Sequence, residues 1–371
     1  MNIEPQLQSI IGRFAFPGEL VECEPIKAGH INRTYRLRFA LEAGRTRDYV
    51  LQRINTFAFK KPAEVMSNVQ LVTEHLRNAM LRGGVDPFNR VLTLVPLTDG
   101  GTLLLDESGA WRAYDFIVNA VTVDRVDSPE QFREIGRAFG RFQSTLADFP
   151  IEKLYDTIPF FHDTVKRMEN FENSVAADVK GRAAGVEPEI AAIRARKAEM
   201  GRIVAMIADG TLPLRVTHND TKINNVMLDA QTGEALCVID LDTVMAGSAL
   251  YDFGDAIRYG ASTAAEDERD LDSVRLDMAL FTAYAEGYIS ETARGLTRAE
   301  LENLPLGALV MTYENAMRFL TDYLDGDVYF HIENADDNLA RCRCQLALLE
   351  DMEARRSDMD GVVAELIGKY R

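Results

Sequence analysis

Cysteine is scarce in this chain of 371 residues, and its four copies, Cys23, Cys237, Cys342 and Cys344, are too scattered for a disulfide framework. Cys342-Arg343-Cys344 lacks the paired spacing of a zinc site, so reduced structural thiols are expected. No apolar run approaches the roughly 20 residues that cross a bilayer. The start, Met1-Asn2-Ile3-Glu4, carries no basic and apolar leader, so a cytoplasmic protein without membrane contact is expected. Positive charge is also short: 41 Lys and Arg face 58 Asp and Glu, a formal net charge of −17. Nucleic-acid binding needs a basic footprint and is excluded on that ground. Any polyanionic ligand must be met by a local cation, because the field of the whole chain repels it. Internal repeats, low-complexity tracts and flexible linkers are absent as well. What remains is 47% apolar, ample for a core, and long enough for about two domains or lobes.

The densest chemistry lies between Arg215 and Arg258. Val216-Thr217-His218-Asn219-Asp220 ends an apolar strand in a polar turn, and Asn225-Val226-Met227-Leu228 begins a second strand. Ala235-Leu236-Cys237-Val238-Ile239 is a third, delivering Asp240 at its end and Asp242 two residues on. Asp220, Asn225 and Asp240 therefore sit at strand ends or between strands. Oxygen ligands on so rigid a frame suit a hard cation such as Mg²⁺, which keeps several waters and takes further ligands from a nucleotide's phosphates. His-x-Asp, four residues, then Asn is the catalytic-loop pattern of protein-kinase-like phosphotransferases, and a metal-binding Asp follows it after a strand, as Ile239-Asp240 does. The bland alternative is a polar hairpin whose Asp and Asn cap turns.

His218-Asn219-Asp220 through Asn225, with Ile239-Asp240, resembles the aminoglycoside phosphotransferase and choline kinase superfamily. Tyr49 to Asn55, Ile239 to Arg258 and Arg318 to Phe330 extend the likeness, which is nearest to the N-acetylhexosamine 1-kinases. The resemblance implies an α+β, two-lobed protein-kinase-like fold: a small antiparallel-sheet lobe over residues 1–119 and a larger, mainly helical lobe over 120–371. It implies ATP as phosphoryl donor, Mg²⁺ as cofactor, and an amino sugar as acceptor, phosphorylated at its anomeric oxygen by a monomeric enzyme. Asp220 is then the catalytic base, and Asn225 and Asp240 the metal ligands.

Along the first lobe, Ile26 to Phe39 places a polar turn before an alternating strand with Tyr35, Leu37 and Phe39 on one face. A flap there would bring Gly29, Asn32 and Thr34 to the phosphates, glycine letting backbone N–H groups approach; an ordinary hairpin is the alternative. The kinase pattern puts a lysine on the next strand, yet Val50-Leu51-Gln52-Arg53 has none. Arg53 is the sensible phosphate donor, since a guanidinium is always charged and binds bidentately. Gln52 stays open, because sequence does not fix the strand's phase. Glu64 or Glu74, on a helix opened by Lys61-Pro62, are candidate acid partners or solvated charges. Trp111 to Val118 runs into the second lobe, and Asp115 to Asn119, centred on Phe116 and Ile117, reads as a hinge for an adenine edge or as a buried edge strand.

In the second lobe, Ser128-Pro129-Glu130-Gln131 opens a core helix on Phe132, Ile135, Phe139, Phe142 and Leu146, with Gly136 and Gly140 admitting a close neighbour. One helix is expected over 187–208. Asp252 is expected to cap the helix that begins near Tyr251 and to steady the catalytic loop. Glu314, Arg318 and Asp322 recur every four residues on a helix apolar around most of its girth, so the charged stripe faces a cleft unless it is an exposed ion-pair ladder. The resemblance singles out Arg318 as sugar-binding. Asn219, His162, Asp163 and Asp322 are the further acceptor contacts expected, with Tyr329-Phe330-His331 as aromatic surface for a pyranose. Two rival readings remain: the same chemistry on choline, an amino alcohol or an aminoglycoside, and a nucleotide-binding regulator without turnover.

Overall fold

A computed structural model describes residues 4–26 and 32–371. Helix α1 (Pro5–Ile11) leads into strands β1 (Glu19–Ile26), β2 (Arg33–Ala40) and β3 (Thr46–Ile54). Helix α2 (Pro62–Arg82) follows, then the hairpin of β4 (Leu104–Asp106) and β5 (Gly109–Asp115). These strands form one antiparallel sheet in the order β1-β2-β3-β5-β4. Side chains alternate across it with period two. Leu37, Phe39, Tyr49, Leu51 and Trp111 pack on Ile10, Ile11 and Phe14 at and beyond α1. The opposite face puts Ile54, Ala110 and Tyr114 against Val65, Met66, Val69 and Val72 of α2. Pro62 sits in the first turn of α2, where its missing N–H costs nothing.

Between Asp115 and Ala120 the chain leaves this sheet, and β6 (Ala120–Val121) pairs instead with β8 (Val226–Asp229). The second region is mainly helical: α3 (Pro129–Thr145), α4 (Thr164–Ala177), α5 (Glu187–Met200) and α6 (Arg202–Ala208) precede β7 (Arg215–Thr217). After β8 come β9 (Ala235–Val238), β10 (Met245–Gly247), α7 (Ala249–Gly260), α8 (Met278–Thr292) and α9 (Arg298–Glu302). The chain ends with α10 (Leu304–Asp325), α11 (Asp337–Ala354) and α12 (Arg356–Tyr370). The α+β, two-lobed architecture expected from the sequence is the one observed. The helix expected over 187–208 is two, parted at Gly201, a residue that weakens a helix interior by about 1 kcal/mol relative to Ala.

Ser128 begins α3, its hydroxyl accepting the Gln131 N–H at 3.2 Å. A Cβ on Gly136 would lie 2.5 Å from the Tyr284 carbonyl oxygen, so the small residues of α3 let α8 approach to backbone contact. Helix α10 is buried around most of its girth and packs on α4, α7 and α11, which makes it the spine of the larger lobe. Among the described residues, no helix is long and apolar enough to cross a membrane.

Candidate active site

Two short ladders frame the site: β7 pairs antiparallel with β10, and β8 with β9. The loops leaving β7 and β9 carry the polar residues. Asn219 (φ 64°) and Asp240 (φ 57°) both adopt left-handed backbone, a region disfavoured for side-chain-bearing residues but best tolerated by Asn and Asp. The surroundings pin the first of them completely. Asp252 accepts the N–H groups of His218 and Asn219 at 2.8 and 2.7 Å. The Asn219 carbonyl accepts from His162 Nε2 at 3.1 Å. Its side chain accepts from the Thr217 hydroxyl at 2.9 Å and donates to the Thr243 carbonyl at 2.9 Å. Ser248, not Asp252, caps α7, its Oγ accepting the Leu250 N–H at 3.3 Å; Asp252 lies a turn inside the helix and serves the loop instead.

Asp220 follows, its carboxylate 3.3 Å from Lys222 Nζ and 3.4 Å from Asn225 Nδ2. Burial alone would raise its pKa, but the Lys222 and His218 charges outweigh that and hold it below the usual carboxylate range. Asp220 is thus an ionised, weakly basic group, suited to orienting a hydroxyl. Asn225 also donates through Nδ2 to the Asp220 carbonyl at 2.8 Å, which leaves its amide oxygen without a donor among the described residues. The Asp240 carboxylate likewise has no hydrogen-bond or ion-pair partner among them. Burial, then the charges of Asp242 and Asp220, push it up to about 7. Two uncommitted oxygens, one carrying charge that its surroundings disfavour, fit a hard divalent cation completed by phosphate and water. No three His, Cys, Asp or Glu side chains converge as a metal cluster among the described residues, so the protein alone makes no full cage.

On the sheet side the cation is not where the sequence suggested. Gln52 pairs with Arg112 across β3 and β5, and Arg53 with Trp111. Arg53 therefore lies on the far face, its guanidinium 5.9 Å from the Trp111 ring centroid and beside Gly109; strand alternation carries it away from the cleft. The sheet cation that reaches the loop after Asp240 is Arg112, which donates to Gln52 Oε1 at 3.0 and 2.8 Å and ion-pairs with Asp242. Asp242 also accepts from Asn32 Nδ2 at 2.8 Å, and Asn32 Oδ1 accepts the Asn55 N–H at 2.9 Å. Thr34 accepts from Gln52 at 3.1 Å on the same face. Gly29 lies outside the described residues. Glu64 pairs with Lys61 and Glu74 with Gln70, so α2 supplies no acid to Arg112. At the crossing between lobes, Phe116 N–H donates to the Asp48 carbonyl and Asn89 takes both backbone groups of Val118. The Phe116 carbonyl and the Ile117 N–H have no partner among the described residues, an acceptor and a donor side by side.

Arg318 on α10 lies 5.6, 5.9 and 5.4 Å from the ring centroids of Phe161, Tyr329 and Phe330. Its guanidinium has no ion pair or hydrogen bond among the described residues, so its donors are free for a ligand. The other residues placed there by sequence are already engaged. Both His162 nitrogens are bonded, to the Asn219 carbonyl and to Glu314. Asp163 caps α4, accepting the Lys166 N–H at 2.9 Å. Asn219 has every polar group satisfied. Asp322 accepts the N–H groups of Val328, Tyr329 and Phe330 and the Asn338 amide, which fills a carboxylate and makes it the anchor of the aromatic loop. A cavity of about 660 Å³ adjoins the catalytic loop at Ile223, with Arg258, Glu266, Arg341 and Gln345 in its wall.

Residues 22–299 match the model of the phosphotransferase enzyme family. The chain belongs to that family. Solved structures share the phosphotransferase's fold at low identity. A microcompartment-associated aminopropanol kinase is 17% identical with a TM-score of 0.60, over 96% of this chain and 98% of its own. A choline kinase from Cryptosporidium parvum is 13% identical with a TM-score of 0.57, over 97% and 98%. A spectinomycin phosphotransferase, solved with ADP and spectinomycin, is 12% identical with a TM-score of 0.54, over 99% of both chains. At such identities the likeness of this phosphotransferase to them is one of fold, and its acceptor has to be argued from its own residues.

Proposed function

We propose that this phosphotransferase moves the γ-phosphoryl group of ATP to the anomeric hydroxyl of N-acetylglucosamine or N-acetylgalactosamine, giving the sugar 1-phosphate. Asp220 orients that hydroxyl for in-line attack and takes up its proton as the new P–O bond forms. Asn225 and Asp240 would hold Mg²⁺, whose charge offsets that of the phosphates. The free acceptor and donor at Phe116 and Ile117 suit an adenine edge, and the crossing there supports lobes over 1–119 and 120–371. Positioning and electrostatic stabilisation supply most of the rate, because the group in transfer carries its own charge.

The observation that carries the acceptor assignment is Arg318, half-buried among three aromatic rings with its donors free. Aromatic faces suit the apolar side of a pyranose, and guanidinium donors suit hydroxyl and acetamido oxygens. Choline, amino alcohols and aminoglycosides are the alternative, favoured by the acceptors named for the solved relatives. A cationic acceptor wants free carboxylates or aromatic faces, and the rings of Phe161, Tyr329 and Phe330 already face the Arg318 guanidinium. Beside Arg318, Asp163 caps a helix, Glu314 lies between His162 and Arg167, and Asp322 holds backbone, whereas Asp127 and Asp267 line the cavity at Ile223 and are what a cationic acceptor would use. Product analysis tests the assignment: phosphorus NMR should show phosphate coupled to the anomeric proton and lost in mild acid. Phosphate on any other sugar oxygen contradicts it.

A further inference from the structure

We infer that His162 is a charged clamp, protonated on both ring nitrogens, that fixes the left-handed turn before Asp220 to Glu314 on α10. The inference rests on the reading of Asp220 as the residue that orients the acceptor. Its ground is a hydrogen-bond inventory. Nε2 lies 3.1 Å from the Asn219 carbonyl oxygen, which only accepts. Nδ1 lies 2.9 Å from Glu314 Oε1, and an ionised carboxylate also only accepts. A neutral imidazole has one donor and cannot satisfy both.

The pair is buried, His162 at 7% and Glu314 at 0% exposure, so solvent supplies no substitute partner. Arg167 Nε approaches the same Oε1 at 3.2 Å. Burial would raise the Glu314 pKa, but the charges of His162 and Arg167 outweigh it and hold it below the usual carboxylate range, so Glu314 offers acceptors only. The charged groups facing the ring are Glu314 and Arg318 on α10, Arg167 on α4, Asp252 on α7 and the neighbouring Asp163. The ring is sandwiched by Phe161 at 4.4 Å and Tyr251 at 5.1 Å between centroids.

The clamp has a mechanical meaning. Left-handed backbone at a non-glycine residue is disfavoured and persists only when its surroundings hold it. Asp252 holds the N–H side of Asn219, and His162 holds the carbonyl side. Glu314 stands one helical turn before Arg318, so the wall that carries the free guanidinium also anchors the catalytic turn. His162 is a positioning residue, acting on the reaction through Asn219 and Asp220.

The test is a long-range proton–nitrogen correlation spectrum of the intact, ¹⁵N-labelled protein at neutral pH. Five histidines are present, and the signal missing from His162→Gln identifies the ring. Both nitrogens should carry protons in the wild type. In Glu314→Gln the ring should turn neutral, keeping Nε2–H toward Asn219 and accepting the Gln amide at Nδ1. That variant should lose kcat on the order of 10- to 100-fold, the scale of a small misplacement, with the KM for ATP unchanged. A wild-type ring with one bare nitrogen overturns the clamp, as does a Glu314→Gln variant with unaltered ring and kcat. The spectrum needs no substrate, so a wrong acceptor leaves this test standing; absence of turnover on every acceptor would instead sink the kinase reading.

Discussion

Arg112 on β5 and Asp242, two residues past Asp240, form an ion pair that joins the two lobes, with side chains only 1% and 3% exposed. Gln52 and Asn32 bond to its two ends, so the start of β2, the central sheet and the Asp240 loop meet at one charge pair. Asp242→Ala should cost about 3–5 kcal/mol of stability, because Arg112 is left charged and buried without its partner. Denaturant unfolding of Asp242→Ala, and of the double variant Arg112→Met with Asp242→Leu, checks this. The double variant should recover most of the loss, since an apolar pair removes both charges together. A single variant as stable as the wild type would deny the pair its role.

Arg318→Lys should not restore what Arg318→Ala loses. A lysine keeps the charge but not the planar fork or the stacking on Phe161 and Phe330. Loss of hydrogen bonds from a charged donor is worth about 1.5–3 kcal/mol, so the acceptor's KM should rise on the order of 10- to 100-fold, with the KM for ATP unmoved. Steady-state kinetics with each substrate varied separates the two.

How far the sequence went is clearest on the sheet. The alternation of Tyr35, Leu37 and Phe39 is local and was legible, as were the helix starts at Pro62 and Ser128 and the grouping of Asp220, Asn225 and Asp240. The phase of Arg53 was not, because it depends on the register of β3 against β5, a non-local pairing. Arg112 read as one residue of a hairpin strand, and its partner lies 130 residues away. His162 was noticed beside Asp163, but its partners are 57 and 152 residues distant, so nothing local distinguished a substrate contact from a clamp. Asp322 misled for a similar reason: helical spacing put it on the stripe of Arg318, while the loop it anchors folds back to consume its carboxylate.

Acid should reveal Glu314. Its pKa in the folded chain lies below the ordinary 4.5, since His162 and Arg167 outweigh the upward push of burial. A depressed carboxyl contributes stability that is complete above the unfolded value and disappears as the pH falls through the folded one. Below about pH 5, where only the carboxyl changes its charge, the melting-temperature gap between wild type and Glu314→Gln should therefore narrow as the pH falls. A gap that widens in acid would have the wrong sign.

Chelation should stop turnover, and added Mg²⁺ should restore it. Asp240→Asn should raise the Mg²⁺ concentration for half-maximal rate on the order of tenfold or more, because it removes the charge of a carboxylate that has no partner among the described residues. Titrating Mg²⁺ at saturating ATP measures it. An unchanged half-maximal concentration would place the cation elsewhere.

The most direct measurement is ADP release with Mg²⁺ and ATP against N-acetylglucosamine, N-acetylgalactosamine, choline, ethanolamine and an aminoglycoside, with Asp220→Asn alongside. The account predicts the highest kcat/KM on the acetamido sugars and a loss on the order of 10²-fold or more in the Asn variant, the scale of removing a general base. Turnover confined to the cationic acceptors, or wild-type rates from Asp220→Asn, would contradict it.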